Sequence, residues 1–131
     1  MSMQPVPEAI TATLIPDAKR MNYLPATFGR YFMRGESLVY GWMRRLSKDY
    51  SGGFWHYYSL SNGGHYMAPK MGDSRNLSAD AAGIVASLFA LNQLTHEAKG
   101  EAQDHLIEQY YKLVEFATTH PESGAIRRAI D

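Results

Sequence analysis

GGFWHYYSLSNGGHYMAP, residues 52–69, decides how this chain folds. Five aromatic rings (Phe54, Trp55, Tyr57, Tyr58, Tyr66) crowd into it, and it turns back at Asn62-Gly63-Gly64. Asn-Gly supplies the two positive-φ positions of a type I′ turn, so the stretch predicts a β-hairpin with strands over 53–60 and 65–70. With a two-residue turn at Asn62-Gly63, Leu60 faces His65 and Tyr58 faces Met67. Phe54, His56, Tyr58, Leu60, His65 and Met67 then share one face, and Trp55, Tyr57, Ser59 and Tyr66 share the other. A three-residue turn through Gly64 swaps the faces of the second strand, and the sequence leaves both registers open. Either register puts aromatics on both faces. That predicts a sheet covered by helices on one side and partly exposed on the other. Buried rings of this kind contribute about 1.5–3 kcal/mol each. Rings facing outward, here expected to be Trp55, Tyr57 and Tyr66, would instead serve a protein contact, where Trp and Tyr are enriched.

Working outward, ITATLI (10–15) alternates β-branched and small residues and predicts a short strand. Pro16-Asp17 opens a turn or short helix, and 22–27, containing Pro25, reads as loop. Residues 1–9 are Pro-rich and expected to fray. Over 28–48, Phe28, Phe32, Val39, Trp42, Met43 and Leu46 form one apolar stripe at helical spacing. Gly35 and Gly41 weaken that helix, and mark either a close backbone approach or a break near Arg34-Gly35. Residues 71–76 read as a polar turn, with Leu77 placed to close a further short strand. Ser78 is an N-cap with Asp80 in the first turn of a helix over 79–94 that is apolar almost all round, hence buried. Gly83 within it permits close packing. A fourth segment, 101–119, carries a stripe of Ala102, Leu106, Ile107, Tyr110, Leu113, Val114 and Ala117, with Glu108 and Lys112 paired at i,i+4. Pro121 stands where a last short helix, 122–130, begins. The fold class is α+β: a single domain over 1–131, with a small antiparallel sheet, the aromatic hairpin 53–70 plus one or two short strands, packed against about four helices.

The chain has 131 residues, no cysteine, and 13 basic against 13 acidic side chains. Disulfides and thiolate metal sites are therefore excluded. Neutral charge excludes a whole-surface DNA mimic, which needs a dense array of carboxylates. It also predicts weak or absent generic DNA binding, since that needs a basic excess. The charge is unevenly spread: residues 1–48 hold seven bases and three acids, and the remainder six bases and ten acids. The start of the chain lacks the basic flank and apolar run of a signal peptide, and no apolar stretch reaches membrane-spanning length. A cytoplasmic protein without a membrane partner is expected.

No catalytic pattern emerges. His56, His65, His96, His105 and His120 make no HxH or HExxH spacing. His56 and His65 could approach across the hairpin, but a metal would need further ligands that the sequence does not place. There is no GxSxG elbow, and the SGG and NGG pieces lack the lysine and spacing of a P-loop. Residues 52–69 contain no Lys or Arg, which argues against a base-stacking platform. No catalytic residue, metal ligand or cofactor is assigned, and no enzyme is expected.

Three pieces, TATLIPDAKRMNYLPATFG (11–29), MRGESLVYGWMRRLSKDYSGGFWHYYSLSNGGHYMAP (33–69) and LSADAAGIVASLFALNQL (77–94), resemble the KlcA/ArdB family of antirestriction proteins. The ending HPESGAIRRAID (120–131) is similar as well. The resemblance implies a compact fold of small sheet and helices, and an inhibitor of type I DNA restriction–modification systems that protects incoming plasmid or mobile-element DNA. It implies no catalytic motif, so none is carried over. Around 71–76 the chain is shorter than some relatives. The partner is expected to be the type I restriction–modification complex, met directly or indirectly through the outward hairpin aromatics and the charged Arg44, Arg45 and Asp131. The alternative is a nucleic-acid-binding accessory protein of a mobile element, using the basic residues 19–48. Oligomeric state is not readable.

Overall fold

The structure is a computed structural model that describes residues 9–47, 50, 52–70 and 77–131. The polar turn at 71–76 and, of the stretch 1–9 expected to fray, residues 1–8 lie outside the described residues; the helix expected to reach Lys48 ends at Leu46, where Ser47 turns extended. The described part is α+β, with a three-stranded antiparallel sheet in the order β1-β2-β3. Strand β1 is Ala12–Leu14, β2 is Trp55–Leu60 and β3 is His65–Pro69. Five α-helices accompany it: α1 (Tyr23–Phe28), α2 (Phe32–Leu46), α3 (Ala79–Glu97), α4 (Gly100–Ala117) and α5 (Ser123–Ile130).

The segment 22–27, expected as loop, is helix α1, entered from a 3-10 turn over Asp17–Asn22. Pro25 lies in the first turn of α1, where its missing N–H costs nothing. The apolar stripe over 28–48 is split at Gly29 (φ 58), and α2 begins three residues later. Gly35 is the close approach and not the break: a Cβ there would lie 2.5 Å from the Phe28 ring. α3 starts at Ser78, whose hydroxyl accepts the Ala81 N–H, and buries nearly every side of its length. In α4, Leu106, Gln109, Leu113 and Ala117 are buried, whereas Ile107, expected on the inner stripe, is exposed.

The hairpin register differs from the two-residue turn. Ser59 pairs with His65, Tyr58 with Tyr66 and Tyr57 with Met67. The loop is Ser61-Asn62-Gly63, closed by Leu60 N–H to Gly64 O at 2.9 Å. Only Gly63 has positive φ, so the type I′ geometry, which needs two such residues, is absent. The cause is α4. Gln109 Nε2 donates to Gly63 O, Asn62 Nδ2 donates to Lys112 O, and a Cβ on Gly64 would lie 2.9 Å from Lys112 Cβ.

The two sheet edges are treated differently. Along β3 runs α3, with Gly83 against Ala68 and Met67 O. Met67 N–H and C=O point away from β2, and the Ser87 hydroxyl bonds both at 3.3 Å. This covers the edge that would otherwise be exposed. Along β1 the side chains of Ala12, Thr13 and Leu14 are all exposed.

Candidate functional site

Residue parity along the strands sorts the rings. Trp55 and Tyr57 share a face with His65 and Met67; Phe54, His56 and Tyr58 share the other with Tyr66 and, from β1, Leu14. The first face is closed. Tyr57 stacks on Tyr23 of α1 at 4.6 Å, Trp55 packs against Tyr40 of α2 at 5.2 Å, and Trp55 Nε1 donates to Tyr50 Oη at 2.6 Å. Trp55 and Tyr57 are 3% and 9% exposed. Tyr66, on the second face, is 2% exposed beneath Tyr58 and Phe116. The three aromatics expected to face outward are therefore core residues, because helices α1, α2 and α4 bring rings to meet each of them.

The open part of the sheet is the other end of the second face. Phe54 and Leu14 are 52% and 49% exposed, with His56 and Tyr58 half-buried between. Ring contacts run without a gap from Phe54 through His56, Tyr58, Tyr66 and Phe116 to His120, at centroid separations of 5.7, 6.2, 4.7, 5.7 and 6.1 Å. Arg20 closes one border. Its guanidinium lies 4.3 Å from the Phe54 ring centre and 4.5 Å from that of Tyr57, and it donates to Trp55 O at 2.8 Å. Sequence reading put no cation among these rings, since Arg20 is more than thirty residues from them in the chain.

The charged residues do not join this face. Arg44 and Arg45 lie in the last turn of α2. Arg44 lines a concavity of about 440 Å³ with Tyr40, Tyr50, Gly52, Gly53 and Trp55, while Arg45 sits 4.8 Å over the Trp42 ring. Asp131 lines a different concavity, about 520 Å³, at the α4–α5 junction with Val114, Ile126, Arg127 and Ile130.

Three histidines, His65, His105 and His120, are held by hydrogen bonds within the fold. His56 and His65 fall on opposite faces and do not meet. His65 Nδ1 lies 3.0 Å from Gln109 Oε1; because the Gln109 amide nitrogen donates to Gly63 O, the oxygen accepts and Nδ1 carries the proton. Burial pushes the His65 pKa below its ordinary value, which keeps the ring neutral. His120 Nδ1 accepts Glu122 N–H at 3.0 Å, so Nε2 donates to Asp80 Oδ2 at 2.9 Å, and Tyr66 Oη donates to Asp80 Oδ1 at 2.8 Å. Burial, then the Asp80 carboxylate, pushes the Tyr66 phenol up. Glu122 accepts from both Ser78 N–H and Ser78 Oγ, and those bonds hold its carboxyl below the usual range. These bonds tie the α3 N-terminus to β3 through Asp80 and Tyr66, and to the α4–α5 turn through Asp80 with His120 and Ser78 with Glu122. Among the described residues no three His, Asp or Glu side chains converge to hold a metal ion, and no helix is long and apolar enough to cross a membrane.

Residues 48–131 match the model of a family described as "Antirestriction protein". Two proteins of Escherichia coli, each named "Antirestriction protein KlcA", are 51% identical to this chain. Their alignments span 137 and 141 residues and cover 95% and 96% of this chain and 96% and 97% of theirs. "Putative antirestriction protein YubI" of Escherichia coli (strain K12) is 33% identical over 135 residues, 89% of this chain and 93% of that one. A solved structure superposes with a TM-score of 0.84 at 50% identity, over 98% of this chain and 100% of the other. It is described as "The structure of the KlcA and ArdB proteins show a novel fold and antirestriction activity against Type I DNA restriction systems in vivo but not in vitro".

Proposed function

The chain belongs to the antirestriction protein family, and from that premise we propose that it lowers type I DNA restriction of incoming plasmid or mobile-element DNA by binding a protein. The protein bound is the type I restriction–modification complex or a factor that controls it. The observation that carries this reading is the near-complete superposition on a protein described as active against type I systems in vivo. The balance of 13 basic and 13 acidic residues argues against imitation of DNA. Both ring nitrogens of His120 are engaged, Nδ1 by Glu122 N–H and Nε2 by Asp80, which leaves this imidazole no open position toward a substrate proton and favours binding over bond-making chemistry. A binder of this kind acts by stabilising an inactive state of its target.

The contact surface we assign is the open part of the sheet, Leu14, Phe54, His56 and Tyr58, in place of the buried Trp55, Tyr57 and Tyr66. Arg44, Arg45 and Asp131 remain proposed contacts at separate positions. The test is plating of unmodified phage on cells carrying a type I system, with and without this chain, and modified phage as the control. Plating that rises for unmodified phage alone supports the reading, and plating unchanged by expression refutes it. The assay belongs in cells, because the solved relative is described as active there and not in vitro.

A further inference from the structure

β1 pairs with β2 through its odd-numbered residues. Ile15 N–H donates to Tyr57 O and Ser61 N–H to Thr11 O, both at 2.8–2.9 Å, with Thr13 opposite Ser59 between them. In an antiparallel ladder the intervening residues turn their N–H and C=O the other way. Ala12 and Leu14 therefore direct their backbone groups out of the sheet, and among the described residues nothing bonds to them. The opposite edge shows what the fold does when it closes a strand: Ser87 takes both outward groups of Met67. At β1 no side chain of the described residues does so.

We propose that β1 is an acceptor edge that takes an extended segment of a larger partner protein as a fourth, antiparallel strand. The inference rests on the antirestriction reading above and names the mode of its partner contact. Backbone groups of Ala12 and Leu14 supply the main-chain bonds, and side chains of the added strand alternate between the two faces. On the face shared by Leu14, Phe54 and Tyr58 the added strand places an apolar residue, because Leu14 and Phe54 leave half their surface uncovered there. A second copy of this chain is a poorer occupant. Self-pairing of a three-residue strand that stops before Pro16 would bury far less than the roughly 1,200 Å² of a stable interface. A larger partner can add contacts on both faces beyond the strand. The short length and the following proline also keep this edge from indiscriminate aggregation.

The test is the plating assay with two variants of the full chain. Ala12→Pro removes an outward donor that the fold does not use, and proline is tolerated on a sheet edge. Leu14→Asp leaves the backbone unchanged and charges the exposed apolar side chain. Circular dichroism and thermal melting verify that each is folded. Both are expected to lose on the order of tenfold of the protection, from the loss of one hydrogen bond or of the apolar contact. If Ala12→Pro does not fold, Leu14→Asp alone decides. Folded variants that protect as well as the unaltered chain overturn the inference and leave the antirestriction reading standing. An unaltered chain that gives no protection removes both. Sedimentation showing a dimer of the unaltered chain that Ala12→Pro dissociates also overturns it, since the edge would then be occupied by a second copy.

Discussion

Alanine at Gly83 should destabilise this protein, while alanine at Gly41 should stabilise it. Both glycines lie inside helices, and helix propensity alone favours alanine at each by about 1 kcal/mol. The surroundings differ. A Cβ on Gly83 would lie 2.4 Å from Ala68 Cβ, 2.5 Å from Ala68 Cα and 2.5 Å from Met67 O, two of these being backbone atoms. Ordinary carbon contacts are about 3.5–4.0 Å, so α3 and β3 must part by about 1 Å. Forcing one methyl into a packed site costs about 1–3 kcal/mol, and more where backbone must move. The same displacement lengthens both Ser87–Met67 hydrogen bonds, already 3.3 Å, one turn further along α3. The expected net loss is about 2 kcal/mol, after subtracting the propensity gain. At Gly41 nothing lies within 4 Å and φ is not positive, so the gain of up to about 1 kcal/mol stands alone. Urea denaturation of the two variants reads this as midpoint shifts of opposite sign at constant slope. Gly83→Ala as stable as the parent, or more stable alongside Gly41→Ala, would refute the close helix–strand contact on which the sheet edge depends.

Ser87→Ala leaves Met67 N–H and C=O buried beside a methyl group, and should cost about 1–3 kcal/mol; a faster-exchanging Met67 amide by hydrogen-exchange NMR would localise the loss, and an unchanged melt would count against the bond. Stability should also depend on pH through His65. Its folded pKa is lowered by burial, so its contribution is fully present above about pH 6.5 and is lost as pH falls through the folded value, where the unfolded chain takes up the proton first. Melting temperature from pH 5 to 8 should show that decline, and His65→Gln should flatten it; a decline of the same size in the variant would place the titration elsewhere.

The local signals in this chain were strong wherever a short-range interaction decides the outcome. The hairpin was legible in the alternation of 54–60 and the Asn-Gly pair, β1 in the β-branched run, and α3 in the Ser78 cap and the apolar stretch behind it. Pro25 misled, because proline in the first turn of a helix looks the same in sequence as proline in a loop. The contact surface was not legible. Arg20 reaches Phe54, and Asp80 reaches His120, across 34 and 40 positions, and no spacing rule covers either pair.

By itself the sequence determined that this chain makes an aromatic hairpin on a helical layer and is electrically balanced, because composition, turn chemistry and periodicity act over a few residues; its likeness to antirestriction proteins rests separately on the matching stretches 11–29, 33–69 and 77–94. Which rings face water was decided only by the tertiary structure. With aromatics at odd and even positions alike, the local pattern is the same on both faces. The choice fell to Tyr23 and Tyr40, which cover Trp55 and Tyr57, and to the grip of Gln109 and Lys112 on the turn, which sets its length at three residues and with it the face of every side chain in β3.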